Sequence, residues 1–125
     1  MKMESSELAE RVIGCAIEVH RETGPGLLES TYEQCSAHEL RMNGIKFRIR
    51  HPLPVEYKGL KLGCGYRVDI LVEDQIILEL KSVEELKKVH EAQVLTYMKL
   101  AGIKHGFLLN FNVPRLKQGM KSFLL

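Results

Sequence analysis

The sequence predicts an α/β fold, a central mixed sheet flanked by helices, and three observations carry that prediction. Apolar residues recur at helical spacing through the N-terminal part of the chain. From Ile45 the period drops to two, and it persists with interruptions to Leu80. A third helical stretch then separates these strands from a last one near Lys104, and a helix between strands favours a parallel, right-handed crossover. Strands joined by a short turn pair antiparallel, so the sheet must be mixed. At 125 residues the chain suits one domain with a proper core, so residues 1–125 are read as a single unit with one site.

The first helix is expected from about Ser6 to Glu22, where Leu8, Val12, Cys15, Ala16 and Val19 form a stripe broadened by Ile13 and Ile17. Gly24-Pro25-Gly26 breaks it and supplies a C-terminal glycine and a proline near the next helix start. The second helix runs from about Leu27 to Met42 and stops at Asn43-Gly44. Ile45, Phe47 and Ile49 then alternate with Lys46, Arg48 and Arg50, the pattern of a half-buried strand with one basic face. Pro52 and Pro54 interrupt it, Leu53, Val55 and Tyr57 resume it, and Lys58-Gly59 reads as a hairpin turn before Leu60 and Leu62. Tyr66 to Val72 and Gln75 to Leu80, joined by an acidic turn at Glu73-Asp74, are the most apolar strands and hence central. A third helix from about Val83 to Ala101 ends at Gly102, and a strand from about Lys104 to Asn110 returns to the sheet. The tail beyond Pro114 is basic, and Phe123-Leu124-Leu125 reads as an edge strand that would permit two copies to pair as a homodimer.

Composition narrows the class. With 45% hydrophobic and 27% charged residues the chain lies far from the disordered regime. A net charge of +2 neither requires nor excludes nucleic acid. No stretch reaches the roughly 18 apolar residues of a membrane span, and the start Met-Lys-Met-Glu-Ser-Ser has no apolar run behind it, so neither secretion nor insertion is expected. Cys15, Cys35 and Cys64 lack any C-x-x-C spacing, which points to reduced thiols in a cytoplasmic protein, with Cys64 marking a tight turn between Gly63 and Gly65.

Chemistry concentrates where Asp69 on one strand is followed ten positions later by Glu79-Leu80-Lys81 on the next. Period-two alternation puts Glu79 and Lys81 on one face, and a hairpin brings Asp69 beside them. Ile76, Ile77, Leu78 and Leu80 mark a buried strand, and charges buried without partners are costly, so a site explains them better than a solvated face. Two carboxylates and an ammonium suit a hard cation such as Mg²⁺ and a scissile phosphate. Other chemistries fail: His90-Glu91 would open a zinc-protease motif, but Val94 stands where its second histidine belongs, and Gly24-Pro25-Gly26 lacks a phosphate loop's lysine and Ser/Thr.

The run Gly26-Leu27-Leu28-Glu29-Ser30-Thr31-Tyr32 resembles the motif of the GxxExxY proteins, and Gly65-Tyr66-Arg67-Val68-Asp69, Glu79-Leu80-Lys81 and His90-Glu91-Ala92-Gln93 fall where that family's other motifs fall. The resemblance spans about Ile13 to Leu125. It implies a PD-(D/E)XK restriction-endonuclease-like core, with Val68 in place of the proline. On this resemblance Asp69 and Glu79 are the strand acids, Lys81 the lysine and Glu29 an extra acid from the helix before. Together these imply Glu29, Asp69 and Glu79 as ligands of Mg²⁺ or Mn²⁺, and Asp69, Glu79, Lys81 and Gln93 as catalytic residues. Gln93 and Tyr97, four apart, resemble a Gln-x-x-x-Tyr element beside the site, and Tyr32 shares a helix face with Glu29, so Tyr32 and Tyr97 are expected to meet substrate.

The function implied is divalent-metal-dependent hydrolysis of phosphodiester bonds in DNA or RNA. The alternatives are a non-catalytic module that keeps the fold and binds nucleic acid or protein, and a metal enzyme acting on a small phosphate compound. Backbone contacts would fall to Arg48, Arg50, Lys58, Lys61, Lys87, Lys88, Arg115 and Lys117, whose dispersal among acids predicts weak, salt-sensitive, backbone-directed binding. With 6% aromatic residues and no tryptophan, base stacking is expected to be minor.

Overall fold

The computed structural model describes residues 5–63 and 65–125, so the turn expected at Cys64 lies outside it. Helix α1 (Ser5–Thr23) buries the expected stripe of Leu8, Val12, Cys15, Ala16 and Val19. Helix α2 (Glu29–Met42) starts two residues later than expected, after Leu28 as its N-cap. The delay has a cause in Tyr32, whose hydroxyl donates to the Gly24 carbonyl and accepts the Leu27 N–H, holding the connecting loop out of the helix.

Strands β1 (Phe47–Pro52), β4 (Arg67–Val72), β5 (Ile76–Lys81), β6 (His105–Asn110) and β7 (Met120–Leu124) form one sheet in the order β1-β4-β5-β6-β7. Only β5 and β6 pair parallel, and helix α3 (Lys88–Ala101) makes the crossover between them. The mixed sheet flanked by helices is therefore as the periodicities predict. Strands β2 (Val55–Tyr57) and β3 (Leu60–Leu62) pair only with each other, across a turn in which Lys58 and Gly59 both take positive φ.

Both faces of the sheet are covered, which is why β5 reads as an almost unbroken apolar run. Ile70, Val72, Ile76, Leu78, Leu80 and Leu109 pack with α1 and α2. On the other face Leu71, Ile77 and Leu108 meet Val94, Tyr97 and Met98 of α3. The helix sits close because β6 carries Gly106 beneath it; a Cβ there would come within 2.7 Å of the Met98 sulfur.

Three local expectations are corrected. Ile49, read as an inward residue, is 47% exposed, because β1 is an edge strand and Arg50 (φ 50) breaks its alternation. Helix α3 begins at Lys88 rather than Val83. The buried Asn110 amide engages both backbone groups of Val83, accepting its N–H (3.1 Å) and donating to its carbonyl (2.9 Å), and this fixes the segment after β5 as a loop. The last strand starts at Met120, ahead of Phe123, after a short 3₁₀ turn (Leu116–Gly119).

Candidate active site

The β4–β5 ladder runs regularly from Val72↔Ile76 to Ile70↔Leu78. Beyond that point side chains replace the backbone pairing. Asp69 Oδ2 accepts the Leu80 N–H at 2.8 Å, and Glu79 Oε1 accepts the Asp69 N–H at 3.2 Å. Each carboxylate thus reaches toward the neighbouring strand, and β4 turns about Asp69. Val68 packs on the α3 side, although Ile70, two residues on, packs on the other. A buried backbone N–H must find an acceptor, so the departure from ladder pairing is stabilised only while both acids are present.

Glu79 is 3% exposed. Burial pushes its carboxyl up to about 9, and the adjoining Asp69 carboxylate adds to the rise; the Lys81 ammonium opposes it more weakly. Near neutral pH Glu79 therefore holds a proton against Asp69, since two such carboxylates cannot both ionise at low cost. Lys81 ends β5, half-buried, with its carbonyl accepting the Phe111 N–H at 2.9 Å.

A third carboxylate comes from α2. Glu33, its side chain 12% exposed, lies 3.3 Å from Arg50 Nε through an Oε1 atom that makes no hydrogen bond, so the pair is close but misaligned. Burial raises the Glu33 carboxyl most, Arg50 opposes, and Asp69 raises it further, which places Glu33 within electrostatic reach of the strand acids. Arg50 itself lies between the register pairs Ile49↔Ile70 and His51↔Val68, directly across from Asp69.

A model of the PD-(D/E)XK nuclease superfamily matches residues 6–123. The chain belongs to the PD-(D/E)XK nuclease superfamily. No curated protein and no solved structure matches it. Members of this superfamily typically use divalent metal ions. The chemistry of Asp69 and Glu79 fits such an ion: both supply oxygen donors, and Glu79 is a buried carboxyl whose charge a cation would compensate. Among the described residues, however, no three His, Cys, Asp or Glu side chains already stand in a metal-holding cluster.

The remaining residues singled out from this PD-(D/E)XK sequence divide clearly. Glu29 is exposed in the first turn of α2, and the acid of that helix that feels Asp69 is Glu33, one turn later on the same face. Tyr32, expected to meet substrate, is fully buried and stacked on Phe111 at 4.4 Å, with its hydroxyl occupied by the Gly24–Leu27 loop. Gln93 and Tyr97 do come together, the Gln93 amide donating to the Tyr97 hydroxyl at 3.1 Å. Burial and then the Glu79 charge raise the Tyr97 hydroxyl, so this pair borders the acids from the α3 side. Of the dispersed basic residues, Arg48 pairs with Asp74 on the surface.

Sequence reasoning missed Glu33 and, although it counted Arg50 among the backbone-contacting basic residues, missed the pairing of the two. The signal for Glu33 was present, since it adjoins Tyr32 and lies four residues after Glu29. Arg50 looked like one more residue of a basic strand face.

Proposed function

We propose that this protein is a Mg²⁺- or Mn²⁺-dependent nuclease of the GxxExxY type that hydrolyses phosphodiester bonds of DNA or RNA. One observation carries the reading: the Asp69 and Glu79 carboxylates replace the β4–β5 ladder, each accepting a backbone N–H across the strands, with Glu79 buried. A structural pair gains little from such an arrangement, because two buried carboxylates are worse than an apolar pair of the same size unless a cation joins them. When bound, a divalent cation would lower the pKa of water and stabilise charge on the phosphate.

The chain's own residues divide the remaining work. Asp69 and Glu79 hold the cation, and Glu33 is the better third donor from α2, because it is nearly buried and faces Asp69 whereas Glu29 is exposed. Lys81, on the Glu79 face of β5, orients the attacking water or the phosphate. Gln93 fixes the Tyr97 hydroxyl at the edge of the acids. Arg50, paired with Glu33 in this structure, supplies the positive charge nearest Asp69 on β1 and is placed to meet a phosphate. The free thiols of Cys15 and Cys35 suit a reducing cytoplasmic setting.

The test is incubation of wild type, Asp69→Ala and Glu79→Ala with mixed DNA and RNA substrates and Mn²⁺. Cleavage is expected from wild type alone. Activity retained by either variant would remove the acids from the mechanism.

A further inference from the structure

A cleft of about 420 Å³ opens on the outer face of α3, lined by Val89, Gln93, Tyr97 and Leu100, with Tyr66 and Val55 as its opposite wall. Its walls are mostly apolar, yet Gln93 donates to the Tyr97 hydroxyl within it, and the Tyr97 ring packs with Val68 and Ile77, next to Asp69 on β4 and on the Glu79 face of β5. The cleft therefore adjoins the strands that carry the acids. Tyr66 stands half-exposed with its ring centroid 6.3 Å from that of Tyr97, at an interplanar angle of 58°. Two of the chain's four tyrosines thus converge on the site, which composition alone did not foretell.

A flat ligand with apolar faces and a hydrogen-bonding edge matches such a cleft, and beside a phosphodiester site that ligand is a base of the same strand. We propose that the cleft takes an unstacked nucleobase next to the scissile phosphate, held by the ring of Tyr66, and so selects single-stranded or frayed nucleic acid. The proposal rests on the nuclease reading. A base inside a duplex is stacked on both faces and cannot enter, whereas an unpaired base gains roughly 1–3 kcal/mol from an aromatic platform. The apolar side chains of Val89 and Leu100 complete the enclosure, and Gln93 with Tyr97 faces the base edge.

The test uses a single-stranded oligonucleotide carrying 2-aminopurine, whose fluorescence is quenched by stacking, and the same sequence as a duplex. Binding is measured in Ca²⁺ with wild type, Tyr66→Ala and Tyr66→Trp. Wild type is expected to bind the single strand more tightly than the duplex and to quench the probe. Tyr66→Ala should weaken single-strand binding about tenfold, abolish the quench and leave duplex binding unchanged, and Tyr66→Trp should restore both. Equal binding of the single strand by Tyr66→Ala and wild type, or a wild-type preference for duplex, overturns the proposal. Cleavage in Mn²⁺ separates it from the nuclease reading. Quench and binding without cleavage support the cleft and contradict the enzyme; cleavage at wild-type rate by Tyr66→Ala overturns the cleft and keeps the enzyme.

Discussion

Glu79 links stability to function through its proton. Its carboxyl, ordinarily at 4.5, is pushed up to about 9 in the folded chain, chiefly by burial and then by Asp69. Below pH 4.5 folded and unfolded forms both carry the proton, and the group adds no pH dependence. Between these values the unfolded chain releases a proton that the folded chain keeps, so stability falls as pH rises, by up to about 1.4 kcal/mol per unit. The metal-free protein is therefore expected to lose Tm steadily from about pH 5 to about pH 9. Glu79→Gln should flatten that slope and melt higher than wild type at pH 8, as calorimetric scans would read. A wild-type Tm that rises over this range would contradict the assignment. Glu33 and Glu29 make a second contrast at this scale. Glu33→Gln should weaken Mn²⁺ binding about tenfold or more, since it removes an anionic oxygen near Asp69, and Glu29→Gln should change it severalfold less. The reverse order would return the helix acid to Glu29.

At the scale of elements, the site depends on how two loops are held. The Asn110 amide is buried and accepts from both Val83 and Asn112 while donating to Val83, so one side chain ties the end of β6 to the segment after β5. Asn110→Ala leaves the Val83 and Asn112 N–H groups without these partners, the Val83 carbonyl keeping a 3.4 Å bond from the Asn112 amide, and should cost about 2–3 kcal/mol in urea unfolding, with looser metal binding because Lys81 lies just before that segment. Loss under 0.5 kcal/mol would show that water replaces the amide. Tyr32→Phe removes only the hydroxyl that holds the Gly24–Leu27 loop. It should cost about 1 kcal/mol and leave KM for polynucleotide unchanged. A raised KM with unchanged stability would instead support the substrate role expected of Tyr32.

Across the whole molecule, the order of elements and the mixed sheet were legible because hydrophobic periodicity reports which faces are covered, and here both faces of β4 and β5 are. The start of α3 was not legible, because Val83 is held outside the helix by an amide 27 residues away. Ile49 misled for a related reason: alternation marks a buried face only where a layer covers it, and β1 lies at the edge. That Asp69 and Glu79 come together on neighbouring central strands could be read from strand spacing and the apolar run around Glu79. The meeting of Glu33 with Arg50 could not, because it depends on how α2 crosses β1 and on a positive φ at Arg50. The modest net charge of +2 sets the expectation for substrate. With two or three phosphates contacted, affinity should fall roughly 7- to 40-fold between 50 and 200 mM salt, and a much steeper loss would point to a larger basic face.

The central claim is that Asp69 and Glu79 form a cation site in competition with a proton, and Mn²⁺ titration by calorimetry near pH 7 in two buffers of different ionisation enthalpy tests it most directly. Wild type should bind Mn²⁺ with release of about one proton, and Glu79→Gln should lose both the binding and the proton. No binding by wild type, or binding that releases no proton and survives Glu79→Gln, would contradict the account.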